Sequence, residues 1–597
     1  MLRFNRMKLR DLLNRKNIII ASGLSIVIVV VAAYLAFRRP PRVAMERYVP
    51  ANALAYIEVD NLSDLVDGLT DTKAWRELAP ALGISSQIRQ LGLISDLVGR
   101  TGLGPDEAVI AARAQFALAL TGLEAETGAS EDGPYIHFKP RVAFIIETHT
   151  KPETAARIAR ERASIIAGRI YGSSVAEQDQ DYQGAKLFVF HGPNSDRQLV
   201  AAASGTVVLL ANHLEAMKSC LDATSGRASS LAEDPTLKYK RPEVDRNSSL
   251  FAYVTEAGIE KLVQVGPALI ASRFAAEPES INSISALFEH LSEQAAAGLL
   301  YSAEFKSGGV IDKYLAVLRE GVAEGLAVPL KSASAASFTS LQLVPREIEG
   351  LTILNMERAG ELPERTLKSL APHLDIVAGV ALREVVISFR KQYGLEPADS
   401  IGDAVGNEVT MVNFGDAKPM AMLVSVKDKA RLAPAVERYL SRDGSRVTTE
   451  DYNGAEIRIS SHEDGRAAAF LGSYLILAVR DQVTKIIDAR SNGSSIANDE
   501  RFKQAIAGRP ASASIISYKP EVRDAGELML AVSKLTRVTD GSRELLDQEP
   551  ARKALDRLPP AVSFTEFRDY GIYAESRSAM GNFTLLASLA GGGEEGE

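Results

Sequence analysis

The sequence contains a single cysteine, Cys220, among its 597 residues. One cysteine excludes an intramolecular disulfide framework and every zinc or redox site built on paired cysteines. Paired histidine motifs are missing as well, because no HxH, HxxxH or HExxH spacing occurs. The sequence therefore predicts no metal and no cofactor. The histidines are His137, His149, His191, His213, His290, His373 and His462.

The formal net charge of −8 is distributed unevenly along the chain. Residues 1–47 carry ten Lys or Arg against only Asp11 and Glu46, so this arm is +8 and the remaining 550 residues are −16. A nucleic-acid-binding surface needs a basic face, so the acidic body argues against a nucleic-acid partner. The 46% hydrophobic content is ordinary for a globular protein and excludes a wholly disordered chain.

One uncharged apolar run, residues 18–37, is long enough to cross a bilayer as a helix of about 30 Å. Six basic residues precede it and four follow it, which favours a cytoplasmic N-terminus. A cleaved signal peptide would have a shorter core of about 7–15 residues and no Arg-Arg-Pro-Pro behind it. We therefore expect a cytoplasmic segment 1–17, a signal anchor 18–37 in the inner membrane, a spacer 38–47 and a periplasmic or other extracytoplasmic body.

The body shows internal similarity between two halves. The offset between matched blocks falls from 292 to 265, so the first copy carries net insertions, the largest near residues 125–139, where we expect a loop. The matched blocks are 102–124 with 394–416, 141–146 with 419–424, 181–185 with 451–455, 229–232 with 494–497, and Tyr253 with Tyr518.

Within each copy, short apolar strands alternate with tight turns and single helices. Strands are predicted near 54–59, 116–120, 142–147, 186–190, 198–203 and 206–211, and helices from a capping box at 150–153 to about 167 and over 214–223. This pattern indicates an α+β fold with mostly antiparallel sheets. The predicted units are a first repeat 48–318, a joint 319–337, a second repeat 338–590 and a flexible tail 591–597.

Two stretches suggest ligand sites but have simpler explanations. The loop at residues 99–104, Gly-Arg-Thr-Gly-Leu-Gly, lacks the Gly-Lys-Ser/Thr ending of a phosphate-binding loop. Glu177, Asp179 and Asp181 alternate as in a calcium loop, but Phe190 stands where an EF-hand needs its final Glu. We interpret the first as a structural loop and the second as a solvated hairpin edge.

The remaining candidates are also better explained by structure than by chemistry. Cys220 lies in an apolar helical segment and is expected to be a buried small hydrophobe. A basic strip interleaved with Glu is typical of a solvent-exposed helix face, and this chain has one at Arg157, Arg160, Arg162 and Arg169. No GxSxG elbow marks a nucleophile, and we nominate no catalytic, cofactor or metal residue.

Residues 49–83 carry a resemblance to a known family. The chain has Val-Pro-Ala-Asn-Ala-Leu-Ala-Tyr-Ile-Glu-Val at 49–59, then Ala74-Trp75, Leu78-Ala79-Pro80 and Gly83. This stretch resembles the opening of bacterial proteins grouped as domain of unknown function 3352. The resemblance implies an N-terminal anchor followed by a large α+β body, and it brings no catalytic residues with it.

These observations predict a single-pass envelope protein whose body is a non-catalytic binding or scaffolding module, with the membrane and an envelope protein as partners. The alternative is a membrane-anchored hydrolase or lipid-handling enzyme with a site assembled from scattered residues. The sequence leaves the oligomeric state open.

Overall fold

The computed structural model describes most of the chain beyond residue 41. The described residues are 42–83, 110, 113–130, 133–172, 175–192, 197–246, 248–263, 295–333, 338–374, 376–396, 401–415, 419–520, 522, 525–530 and 544–582. Ala44–Glu597 forms one compact unit, and Met1–Val43 forms another, of which only residues 42 and 43 are described. The predicted anchor 18–37 and tail 591–597 lie outside the described residues. No helix within the described ranges has both the length and the apolarity that a membrane crossing requires.

Strands occupy both halves of the described chain. They are β1 Ala55–Val59, β2 Gln115–Ser130, β3 Gly133–Glu147, β4 Ala176–Tyr182, β5 Ala185–His191, β6 Gln198–Ser204, β7 Val207–Ala211, β8 Leu250–Thr255, β9 Ala296–Lys306, β10 Gly309–Leu318, β11 Gly350–Asn355, β12 Val405–Asn413, β13 Ala421–Val426, β14 Val447–Tyr452, β15 Ala455–Ser460, β16 Arg466–Leu471, β17 Tyr474–Val479, β18 Ile515–Lys519, β19 Ala561–Arg568 and β20 Gly571–Ser578.

Helices connect and cover these strands. They are α1 Leu62–Asp71, α2 Lys73–Ala81, α3 Pro152–Tyr171, α4 Leu214–Thr224, α5 Pro235–Val244, α6 Glu320–Ala327, α7 Leu362–Leu370, α8 Ile376–Gln392, α9 Lys429–Ser441, α10 Arg480–Ser491, α11 Glu500–Ile506, α12 Glu544–Asp547 and α13 Glu549–Asp556. The segment 319–337, predicted as a joint, contains α6.

All described strand pairings are antiparallel, which confirms the predicted α+β class with mostly antiparallel sheet. In the first half the order is β4-β5-β6-β7-β3-β2-β1-β8-β9-β10. In the second half it is β14-β15-β16-β17-β13-β12-β11-β18-β19-β20. The two orders are the same once ten is added to each strand number. Strand β10 pairs with β20, so the halves share one continuous sheet.

The segment predicted as the largest insertion of the first copy forms a β-hairpin, so the prediction of a loop near residues 125–139 is wrong. Strand β1 begins at Ala55, which pairs with Leu120. Strands β2 and β3 continue beyond this point for nine further residue pairs, from Gly122–Arg141 to Ser130–Gly133. At about 3.4 Å per residue, these pairs extend roughly 30 Å. Cross-strand hydrogen bonds satisfy the backbone of the inserted residues, which a loop of this length would leave to solvent.

Tight hairpin turns occupy 182–184 and 452–454, within the matched blocks 181–185 and 451–455. Gln183 and Gly184 have φ values of 53° and 86°, and Asn453 and Gly454 have 51° and 77°. Positive φ at both central residues is the geometry of a type I′ turn, which suits the twist of two-residue hairpins. In both hairpins the preceding tyrosine hydroxyl donates to an aspartate, Tyr182 to Asp222 at 2.8 Å and Tyr452 to Asp488 at 3.0 Å.

One predicted detail of α3 is wrong. The capping box expected from Thr150 does not form, because Lys151 is the N-cap residue and makes no side-chain cap. The hydroxyl of Thr150 instead lies 2.7 Å from that of Thr148. Pro152 occupies the first turn, as expected from its fixed φ.

Each half has its own apolar core, and a third cluster joins them. The first core includes Met45, Tyr56 and Leu209, and the second includes Leu341, Leu423 and Ile476. The third packs residues from 66–82, among them the single tryptophan Trp75, against residues between 522 and 580. The two halves are therefore joined by side-chain packing as well as by the β10–β20 ladder.

Candidate functional site

The glycine-rich loop 99–104 lies outside the described residues. The alternating carboxylates lie on β4, whose residues are exposed up to Tyr182. Asp179 forms an ion pair with Lys186 at 2.6 Å, and Glu177 with Arg160 at 3.3 Å. The structure thus places them on a solvated hairpin edge, as the sequence predicted.

Two of the described histidines accept local backbone hydrogen bonds. His213 Nδ1 accepts a hydrogen bond from the backbone N–H of Glu215 and caps α4, and His462 Nδ1 accepts one from Asp464. His149 has its pKa lowered by burial. Within the described ranges, no three His, Cys, Asp or Glu side chains are grouped closely enough to hold a metal ion.

Cys220 is fully buried in α4, as predicted. Burial raises the pKa of its thiol to about 12, so the thiol stays protonated at neutral pH and is a poor nucleophile. On α3, Arg157 pairs with Glu161 at 2.8 Å, and the guanidinium of Arg160 lies 5.3 Å from the ring centre of Phe188. These contacts keep two arginines of the basic strip on the protein surface.

A buried ionic cluster surrounds Arg241 in the first half. Its guanidinium donates to Glu58 at 2.7 Å, to Asp245 at 2.6 Å and to Glu46 at 3.2 Å. The side chains of Glu58 and Asp245 are each only 1% exposed. The guanidinium also lies 4.3 Å from the ring centre of Phe251. One cation therefore neutralises part of three buried or half-buried acids, which makes this cluster a structural element of the first core.

The second half contains the strongest candidate binding site, an apolar cavity of about 450 Å³. Its floor is one face of the sheet, and its walls are α7, α8 and α9. Alternate residues of a strand share a face, and paired residues on neighbouring strands lie side by side. The floor consists of Val409, Met411, Met422, Val424, Leu475 and Leu477.

The register explains why these six side chains form a continuous surface. Met411 pairs with Met422, which pairs with Leu477. In the next row Val409 pairs with Val424, which pairs with Leu475. The opposite face of the same strands carries Leu423 and Ile476 into the second core, so these strands are apolar on both faces.

The cavity opens to the protein surface beside the helices that form its walls. Leu382 and Val386 of α8 line the cavity, and so do Val385 and Phe389, which are 54% and 41% exposed. The same helix exposes Val380 and Ile387. The cavity mouth is therefore bordered by apolar side chains that face solvent, an arrangement that costs free energy in water and marks interaction sites.

Polar groups at the cavity are few and mostly satisfied. Arg390 donates to Glu364 at 2.8 Å and to the carbonyl of Glu396 at 2.6 Å. Burial raises the pKa of Tyr393 and of Tyr439, so both hydroxyls stay neutral. Their rings stack with centres 6.1 Å apart. The lining therefore offers apolar contact and one neutralised ion pair.

Sequence reasoning missed this cavity. A signal was present in Tyr474–Val479 and in α8, whose apolar residues are too many for one buried face. Nothing in the sequence specified that α7, α8 and α9 stand away from the sheet far enough to leave space.

The comparisons with known proteins agree with the resemblance noted at residues 49–83 but fall on a different part of the chain. A family model described as "Protein of unknown function (DUF3352)" matches residues 388–548. This range includes α9 and the three strands that form the cavity floor, β12, β13 and β17. No curated protein and no solved structure matches the chain. Residues 388–548 are thus similar to the proteins of unknown function DUF3352, the family that the sequence suggested.

Proposed function

We propose that this chain is a non-catalytic binding protein that takes the apolar part of an amphiphile, such as an acyl chain, into the cavity of its second half. The observation that carries the proposal is the cavity itself, about 450 Å³ in volume and lined almost wholly by apolar side chains. Small-molecule sites fall in the range of roughly 300–1,000 Å³ and combine apolar walls with a few polar groups.

The chemistry of the lining favours a flexible hydrocarbon over a polar metabolite. Met356, Met411 and Met422 line the cavity, and methionine adapts its shape to irregular apolar ligands. Because Arg390 is already paired with Glu364, a charged ligand group would have to displace that pair. An uncharged tail needs no such exchange, and its transfer from water into the cavity lowers the free energy.

We propose further that the body arose by duplication. The support is the equal strand order of the halves and the recurrence of small features at equivalent positions. Tyr182 and Tyr452 end β4 and β14, and Tyr253 and Tyr518 lie in β8 and β18. The isolated bridges Pro50–Ser230 and Pro345–Ser495 also correspond.

For the location we propose that residues 18–37 anchor the chain in the inner membrane, with the body outside the cytoplasm and an envelope protein as a further partner. The support is the apolar run and its flanking basic residues. An enzymatic reporter that works only outside the cytoplasm, fused after Glu597, should be active. Activity of a cytoplasm-specific reporter at the same position would reverse this topology.

The binding proposal is tested by filling the cavity. Ala435 of α9 is 5% exposed and lines the cavity. We expect Ala435→Phe to weaken binding of a fluorescent fatty acid to the full-length chain at least tenfold, because the added ring occupies the space of the tail. The measurement is a fluorescence titration of the chain in micelles of a mild detergent, with the signal of protein-free micelles subtracted.

The matched control is Ile170→Phe, which adds a ring at a position of α3 that is 60% exposed. This variant should bind the fatty acid as the parent chain does. The proposal fails if the parent chain does not bind, or if Ala435→Phe binds equally well while its urea unfolding midpoint shows that it is folded.

A further inference from the structure

A second pocket, of about 380 Å³, lies where the two halves of the sheet meet. It is bounded by the β9–β10 hairpin and α2 of the first half and by α11 and β20 of the second half. We call it the seam pocket and define it by its five basic residues, Lys73, Lys306, Arg501, Arg557 and Arg577. Every titratable side chain among its described lining residues is therefore cationic.

This charge is unusual in a chain whose net charge is −8. Three of the five cations form ion pairs with carboxylates. Lys306 pairs with Glu304, Arg557 with Glu77 and Arg577 with Glu575. Lys73 and Arg501 form no ion pair with any described residue. Among the lining residues and the acids paired with them, cations therefore outnumber carboxylates by five to three.

Two of the arginines are held in place by backbone carbonyls rather than by acids alone. Arg501 donates through Nη2 to the carbonyl of Leu558 at 2.9 Å, which uses one of its five N–H groups. Arg577 donates to the carbonyl of Ala507 at 3.1 Å and lies 5.2 Å from the ring centre of Phe564. Side chains fixed in this way lose little rotamer entropy when an anion binds.

We infer that the seam pocket binds a phosphate-bearing ligand, with a diphosphate as its best-matched group. Arginine forms paired hydrogen bonds to phosphate oxygens, and lysine adds a point charge. A multiply charged anion gains from each uncompensated cation, whereas a neutral ligand would leave Lys73 and Arg501 without compensation. This inference is independent of the cavity in the second half, because the two sites share no lining residue.

The test uses inorganic pyrophosphate and the full-length chain at low salt, with affinity measured by isothermal titration calorimetry. The variant is Lys73→Gln combined with Arg501→Gln, which leaves the backbone caps at Thr72 and Asp499 in place. We expect the affinity to fall at least tenfold. The control is Lys151→Gln combined with Arg169→Gln, which removes the same charge from an exposed region of α3 and should bind as the parent chain does.

A second arm identifies the source of the phosphate. Glycerophosphoglycerol, the water-soluble headgroup of phosphatidylglycerol, is titrated into the parent chain and into the Lys73, Arg501 variant. Binding that pyrophosphate competes with and that the variant loses supports a lipid headgroup as the source, and pyrophosphate binding without binding of this headgroup supports a different, soluble ligand. The inference is overturned if pyrophosphate does not bind, or if the control pair weakens binding as much as the Lys73, Arg501 pair does.

Discussion

Asp312, in the strand that joins the two halves, gives the sharpest test of the structure. It is fully buried on β10, where Oδ1 accepts from the hydroxyl of Tyr301 at 2.7 Å and Oδ2 accepts from the backbone N–H of Asn582 at 2.9 Å. Burial raises the pKa of this carboxyl from 3.8 to about 6, because the two hydrogen bonds only partly offset the loss of solvation. Ionisation therefore favours the unfolded chain.

The expected magnitude follows from the size of that shift. Each pKa unit corresponds to about 1.4 kcal/mol, so an ionised Asp312 lowers the free energy of unfolding by about 3 kcal/mol. The folded state holds the proton up to about pH 6, while the unfolded state releases it near pH 3.8. The contribution of this group to stability thus declines as pH rises from about 4 to 6 and stays low at neutral pH.

The perturbation is Asp312→Asn, which keeps the shape and removes the charge. An asparagine can accept from the N–H of Asn582 and donate to the Tyr301 oxygen, so both contacts have a partner. We expect the variant to match the parent near pH 4 and to exceed it by up to about 3 kcal/mol at pH 7. Urea unfolding followed by the fluorescence of Trp75, which is 8% exposed, measures the difference.

The control is Asp181→Asn, at an exposed position of β4, which should show no comparable trend relative to the parent. Only the difference between each variant and the parent matters, because the other acids of the chain titrate equally in all three proteins. A difference for Asp312→Asn that stays flat from pH 4 to 7.5 would refute the reasoning.

Two further predictions concern stability in the first half. Arg241→Ala should lower the free energy of unfolding by about 3–5 kcal/mol, because it leaves buried carboxylates uncompensated. The control Arg227→Ala, at an exposed ion pair, should lower it by at most about 1 kcal/mol, and equal urea midpoints for the two variants would contradict the prediction. Gly258→Ala should lower the free energy of unfolding by about 1–3 kcal/mol, since the added Cβ would lie 1.9 Å from the carbonyl oxygen of Leu54. Gly168→Ala should raise it by about 0.5–1 kcal/mol, because Gly168 lies in α3 with open space around it. The opposite signs are checked by thermal unfolding, and a stabilising Gly258→Ala would contradict the close approach.

The sequence was most informative where structure depends on neighbours in the chain. The hairpin turns at Gly184 and Gly454 follow from residues that tolerate positive φ, and β5, β6 and β7 follow from short apolar runs bounded by turns. The helix over 214–224 was predicted to within one residue. Such signals are local, so a single sequence contains them.

Long-range pairing and empty space were not predictable in this way. The ladder between β10 and β20 joins Val310 to Ser578, and no periodicity specifies a partner 268 positions away. The cavity depends on how far α8 stands from the sheet, a property of tertiary packing. Asp312 looks like any other aspartate in the sequence, and only the strands on either side of it make it a buried acid.

The symmetric strand order also bears on self-association. In the described sheet, β4 and β14 each pair with one strand only, so they form its two ends. An open end with unpaired N–H and C=O groups can recruit a strand from another copy, and two such ends on one molecule would permit filaments without limit. Both end strands carry charged side chains, Glu177, Asp179 and Asp181 on one and Glu450 and Asp451 on the other. A strand added about 4.8 Å away would remove water from these carboxylates, so the residues that resemble a calcium loop, and the acids at the other end of the sheet, disfavour its extension by a second copy.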